Sequence, residues 1–459
     1  MFLAIALALS LVAAAVFFFV YDPGTSVAVS GSPVTPLPSP SATGHTELTI
    51  YDLTPQLPAC VDTTTADDGR LPPGFSKRFA DIARRVVAMR DLEFKGPVKT
   101  KILSPDELSR RAGSEVETAL KTDRAGLQEK VLKLLGAIPA GIDLGETEQR
   151  LTEQQILGYY LPKTKTIFAP SGGDDGNALS EITLAHELEH ALADQQLGLP
   201  KLGKVAPGKE EAQYAARALV EGDASLLTQD YLYFALTSDD RVRLGERTGE
   251  IIQGLDEDVP YFLERSLGFP YSEGLLFACY LYQKGGWEAV NDAYAHPPQS
   301  TAEILFPDRY GNVGPPNDPP DPTAPPGWKH VGRFALGAAD LLFIMQEPDL
   351  PSGTDLEEVT RVFRWNGGEI HAFERDGDIA IVASLDGSGV PEDGADRDWL
   401  CAEVWGWINY RFPVRVGDAG DAHFLESNQG MGAGWSCMDF GPRVVIGPSS
   451  DVAKSFLKP

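Results

Sequence analysis

Two histidines stand one helical turn apart in Thr183-Leu-Ala-His-Glu-Leu-Glu-His-Ala-Leu-Ala-Asp194, with a glutamate directly after the first. On an α-helix, positions i and i+4 share a face, so His186 and His190 can turn ring nitrogens toward one tetrahedral zinc ion. Glu187 lies about 100° around the helix, poorly set to be a third ligand but well set to handle a water on the metal. Two ligands leave such a site incomplete, so the fold must bring a further donor from another element and pack the helix against it. The segment 180–197 supplies Leu184, Leu188, Ala191 and Leu192 for that packing. Ser180 is expected to cap its start and Gly198 to end it.

The further donor is expected downstream. Residues 209–236 read as a long Ala- and Leu-rich helix containing Leu219-Val-Glu-Gly-Asp-Ala-Ser225. Gly costs roughly 1 kcal/mol inside a helix, and one directly after an acidic residue is explained if another backbone or the metal must approach. Glu221 is therefore the expected third ligand. The plainer alternative is a solvated surface glutamate.

His186-Glu-Leu-x-His190-Ala-x-x-Asp194 followed by Glu221 resembles the thermolysin-like, glutamate-liganded zincins. The region is closer still to a family of uncharacterised bacterial metallopeptidases, through Gly158-Tyr-Tyr-Leu-Pro-Lys-Thr164, His190-Ala-Leu-Ala-Asp-Gln-Gln196, Leu219 to Ser225, Gly285-Gly-Trp287 and Pro297-Pro-Gln-Ser-Thr301. The resemblance covers roughly residues 75–310. It implies an α+β, zincin-like catalytic domain with an active-site helix, a glutamate helix and a small edge-stranded sheet, holding one catalytic zinc on His186, His190 and Glu221. Two departures stand out. The thermolysin pattern has an Asp four residues after the glutamate ligand, where this chain has Ser225, so Asp194 and Asp223 become the expected partners of His186. The nearer family often carries a His before the Pro of an Ile-Leu-x-Pro segment, where this chain has Phe306.

The implied chemistry is peptide-bond hydrolysis. Zinc lowers the pKa of its water to about 7 and polarises the carbonyl, and Glu187 acts as general base. Tyr271 is the first choice as donor to the oxyanion, with Arg217 and His296 as alternatives. Upstream, residues 156–161 and Thr166-Ile-Phe-Ala169 read as strands around a Pro162-Lys-Thr164 turn. Thr166 to Ala169 is the expected edge on which an extended peptide or protein substrate would pair. An alternative of another class is a catalytically inactive zincin-fold binding or scaffold protein of the cell envelope.

Residues 2–20 are uncharged and long enough to cross a bilayer. Residues 1–21 are expected to be a transmembrane signal anchor with the rest of the chain outside the cytoplasm, and a secreted form follows if the segment is cleaved after Ala13-Ala-Ala15. A Ser/Thr/Pro-rich tether, 22–70, follows; its end, Thr49 to Cys60, is apolar enough to dock on the main body. The catalytic domain is expected over 71–311, with helices at 79–90, 105–112 and 124–135 and a strand at 98–103. Four cysteines outside the cytoplasm suggest disulfides. Cys401 with Cys437 is the preferred pair, which leaves Cys60 to staple the tether to Cys279; a buried free thiol is the alternative for Cys279.

A Pro-rich loop at 312–327 separates these from a C-terminal α+β module over 328–459. Strands are expected there at 359–363, 369–373, 379–384 and 443–446, and a helix at 399–410. A net charge of -27 argues against nucleic acid as a partner. No feature of the sequence speaks to oligomeric state.

Overall fold

The computed structural model describes residues 48–60, 69–120, 122–171, 178–200, 208–253, 259–346, 359–388 and 398–457. The expected membrane anchor and most of the tether lie outside them. No helix among the described residues is long and apolar enough to cross a membrane.

The chain is α+β. A 3-10 run, Ile50–Cys60, leads to α1 (Lys77–Arg90), β1 (Lys99–Leu103), α2 (Pro105–Leu120), α3 (Asp123–Leu135), α4 (Leu144–Gln155), β2 (Tyr159–Leu161) and β3 (Thr166–Pro170). Then come α5 (Ala178–Gln196), α6 (Glu210–Phe234), α7 (Ser238–Gln253), α8 (Tyr261–Ala295) and the short α9 (Thr301–Leu305). The remainder holds β4 (Lys329–Ala335), α10 (Ala338–Met345), β5 (Gly367–Arg375), β6 (Asp378–Asp386), α11 (Asp398–Arg411), β7 (Val414–Ala419), β8 (Ala422–Glu426), β9 (Gly432–Met438), β10 (Gly441–Gly447) and α12 (Ser450–Phe456). Local signals explain many of the boundaries. Thr122 and Asp143 cap α3 and α4 by accepting from Ala125 and Glu146 N–H, and Ser300 with Glu303 forms a reciprocal capping box on α9.

Several expectations change. Ser180 lies within α5, which begins at Ala178, so it caps nothing. Where a strand is expected over 359–363, Thr360–Val362 form a 3-10 turn; Val359 and Val362, three apart, are both buried, which is helical and not alternating spacing. The docking expected of Thr49 to Cys60 is realised. Ile50, Leu53, Leu57 and Cys60 enter the main apolar cluster, the Tyr51 hydroxyl donates to Glu273 at 2.8 Å, and a disulfide joins Cys60 to Cys279 of α8. The second disulfide, Cys401–Cys437, ties α11 to β9.

The small sheet has the order β1-β3-β2. β3 pairs in parallel with β1 and antiparallel with β2, so both of its edges are used. The expected substrate edge at Thr166 to Ala169 is thereby overturned: a strand bonded on both sides has no free main-chain groups to offer. The unbroken apolar run Ile167-Phe-Ala169 fits that central position.

The large sheet is antiparallel, in the order β4-β5-β6-β10-β9-β8-β7. Asp376-Gly377 turns β5 into β6 with both residues at positive φ, 54° and 92°, as a two-residue hairpin with a right-handed twist demands. Side chains alternate across this sheet. Ile370, Ala372, Ile381, Ala383, Val444 and Ile446 join the apolar cluster that also holds α6 and α8. Phe373, Ala380, Val382 and Val445 pack on the other face with Val452 and Phe456 of α12.

Candidate metal centre

α5 and α6 are buried along most of their length, and α6 packs tightly against α8. At that crossing two glycines meet. A Cβ on Gly222 would lie 2.0 Å from the Gly274 carbonyl oxygen, and one on Gly274 would lie 2.3 Å from that of Ala218. Backbone-to-backbone approach at this point is what the glycine after Glu221 permits, and it fixes the height at which Glu221 leaves α6.

The structure brings His186, His190 and Glu221 together, with their ligand atoms all within 4.8 Å of one another. Glu221 Oε2 is 3.5 Å from His186 Nε2 and 3.3 Å from His190 Nε2. Donors about 2.1 Å from a tetrahedral zinc are separated by about 3.4 Å, the edge of that tetrahedron. His186 Nε2 and both Glu221 oxygens are buried without a hydrogen bond, which is costly unless a cation completes them. The donor set therefore fits zinc.

His186 has a partner that fixes its tautomer. The Thr228 hydroxyl donates to the Ala224 carbonyl at 2.7 Å, so its oxygen is left to accept from His186 Nδ1–H at 3.3 Å. Nε2 then keeps its lone pair for a metal. The expected partners are engaged elsewhere. Asp194 accepts from the Tyr160 hydroxyl at 2.6 Å. Asp223 accepts twice from Arg90, at 2.9 Å each, and from Tyr294 at 2.8 Å. Arg90, fully buried at the end of α1, also donates to Asn291 and lies 4.3 Å from the centre of the Trp287 ring. This network clamps α1, α6 and α8 beside Glu221. Beside His190, Glu189 Oε2 lies 3.7 Å from the other ring nitrogen.

Glu187, beside the ligand cluster, also reaches the small sheet, where its Oε2 accepts the Tyr160 N–H of β2 at 2.5 Å. Burial pushes its carboxyl up to about 7, against the pull of His190 and the Tyr160 N–H. Glu221 moves the other way: burial opposes its charge, but His190 and His186 together hold it far below the usual carboxylate range. Burial lowers His186. His190 is also penalised by burial, yet Glu221 and Glu187 raise it to about 9.

Tyr271 and Arg217 both border the site. The Tyr271 ring stacks 6.2 Å from that of His186, and Arg217 Nε is 3.9 Å from Glu221 Oε1. Arg217 Nε and Nη2 are buried without a hydrogen bond. Glu148 of α4, pushed up to about 7 by burial against the pull of Arg217, is a further neighbour of that guanidinium. His296 is exposed at the far end of α8, where its carbonyl accepts from Tyr310, and takes no part. Thr228 and Arg90 escaped sequence reasoning. Thr228 carries a signal in its place two turns after Glu221 on the same face; Arg90 carries none, since a terminal Arg on a helix is ordinarily solvated.

No family model, no curated protein and no solved structure matches this chain.

Proposed function

We propose that this protein is a zinc-dependent metallopeptidase with a zincin-like, glutamate-liganded site, tethered outside the cytoplasm by its N-terminal segment. The observation that carries the reading is the convergence of ligand atoms of His186, His190 and Glu221 within 4.8 Å of one another, with Glu221 Oε2 3.5 and 3.3 Å from the two imidazoles and Glu187 on the same helix as the histidines. Bound there, zinc supplies a Lewis acid that acidifies water and polarises a carbonyl. Glu187, oriented by the Tyr160 N–H, takes the proton of the attacking water and returns it to the leaving amine. Arg217, whose Nε and Nη2 make no hydrogen bond, and the Tyr271 hydroxyl are the donors we assign to the negative charge that builds on the carbonyl oxygen. The two disulfides support an oxidising compartment.

One observation favours the second reading, a zincin-like binding or scaffold protein: His186, Glu187, His190 and Glu221 are only 1–3 % exposed, as in a closed structural zinc site. Digestion of an unbiased peptide library separates the two. The wild-type full-length protein is expected to cleave, and Glu187→Gln to keep zinc at this site while losing about 10²–10⁴-fold in rate. Identical digests from the two proteins would overturn the enzyme reading and leave the scaffold.

A further inference from the structure

We propose a second divalent-cation site, of the kind that takes zinc, built from Asp321, Glu369 and His371 at the β4–β5 edge of the large sheet. It is independent of the helical site and of the peptidase reading.

The sheet register builds it. Glu369 and His371, two apart on β5, point to one face. Across the strand pair, Ala335 faces Glu369, Arg333 faces His371 and His330 faces Phe373, with a bulge between His330 and Gly332. His330 and Arg333 are an odd number of residues apart and would otherwise point to opposite faces; the extra residue of the bulge brings both to the face that carries Glu369 and His371.

Three donors converge on one point. His371 Nε2 is 3.5 Å from Asp321 Oδ1 and 3.4 Å from Glu369 Oε2, and all three atoms lie within 4.8 Å of one another. A charge-assisted hydrogen bond would draw such atoms to about 2.7–2.9 Å, whereas about 3.4 Å is the edge of a zinc tetrahedron. Glu369 is 2 % exposed. Arg333 engages only its Oε1, and Oε2, the oxygen aimed at the cluster, is buried without a hydrogen bond. The imidazole is oriented for ligation as well. His371 Nδ1 lies 3.1 Å from His330 Nε2; in the tautomer in which His371 Nδ1–H donates to His330, His371 Nε2 is left as a lone pair facing the carboxylates. One imidazole and two carboxylates suit zinc or a neighbouring transition ion; calcium prefers six to eight oxygens.

Asp321 belongs to the Pro-rich loop, and that loop is seated without the ion. Asn317 N–H donates to the Asn366 carbonyl at 2.7 Å and its side chain to Asp386 at 3.0 Å. Arg443 donates to the Pro320 carbonyl at 2.6 Å, and Lys209, before α6, pairs with Asp318 at 2.6 Å. A cation here staples the loop to β5 near the start of the helix that carries Glu221. With Asp321 mostly exposed, the fourth position opens to water.

The test counts metal in the full-length protein after equilibration with zinc and dialysis, using elemental analysis on wild type, Asp321→Asn, His371→Ala and the double variant His186→Ala/His190→Ala. The expected counts are two zinc ions for wild type and one for each of the others. A wild-type ion that survives the double variant and is lost in Asp321→Asn supports this site even if the helical one fails. A wild type with one ion that the double variant abolishes, or a folded Asp321→Asn that keeps two, overturns it. Asp321 is exposed, so that variant reads the site even where His371→Ala fails to fold. Cobalt in the double variant gives a second readout: visible absorption bands are expected, and their persistence in a folded His371→Ala background would overturn the assignment.

Discussion

The helical cluster and the sheet cluster to which metal is assigned are held by opposite means. In the helical one, two ligands come from one turn of α5 and the third from α6, whose height is set by glycine-to-glycine contact with α8. All three are almost fully buried. In the sheet cluster two ligands come from alternate positions of β5, and the third hangs from a loop with its side chain 70 % exposed. The helical cluster cannot change its spacing without moving a packed helix. The sheet cluster can, because one loop side chain is enough to open it. A cation is thus expected to exchange slowly at the first and readily at the second.

The sharpest way to break this contrast is Gly222→Ala. The added methyl meets the Gly274 carbonyl at 2.0 Å, and because the obstacle is backbone, α6 must shift. Overpacking of this kind costs about 1–3 kcal/mol, and the shift displaces Glu221 from the histidines. A lower urea midpoint and loss of the helical zinc are expected, with the sheet site retained. An unchanged midpoint and full zinc content would show that the crossing is softer than its geometry indicates.

A smaller effect is expected from Thr228→Val, which keeps the shape and removes the acceptor of His186 Nδ1–H. Loss of such a partner typically weakens metal binding by about 10–100-fold. Competition with a chelator for zinc, in an Asp321→Asn background that removes the other ion, measures it; an unchanged affinity would mean that the tautomer of His186 is set by something else.

What could be read in advance follows the same division. His186, His190 and Glu221 were legible because helical spacing is local, and Gly222 announced a close approach. Thr228 was missed because a hydroxyl two turns along a helix looks like any core threonine. Asp194 and Asp223 were chosen on their charge, yet Tyr160 and Arg90 claim them. β5, β6 and β10 were anticipated from local strand signals, but which strands lie at an edge depends on pairing, and β3 proved central. The sheet cluster was invisible for that reason. Its donors are 48 and 2 residues apart in the chain, and only cross-strand register, a bulge and a folded-back loop unite them.

The subtlest test lies between the two clusters, at the start of α6. Glu211 Oε1 accepts from both the N–H and the hydroxyl of Thr301, at 2.6 Å each, while its Oε2 is buried without a partner. Burial, reinforced by Asp340, pushes this carboxyl up to about 7, against the donors of Thr301. Burial likewise pushes Asp340 up to about 6, opposed by the Gly337 N–H and helped by Glu210. A raised carboxyl means that the folded chain binds the proton more tightly than the unfolded chain. The stability it contributes is therefore complete below about 4.5 and is lost as pH rises through about 7. Glu211→Gln keeps an oxygen for Thr301 and cannot ionise. Its urea midpoint is expected to match wild type at pH 4.5 and to exceed it at pH 8; a gap that does not widen with pH would show that Glu211 does not carry a proton across this junction.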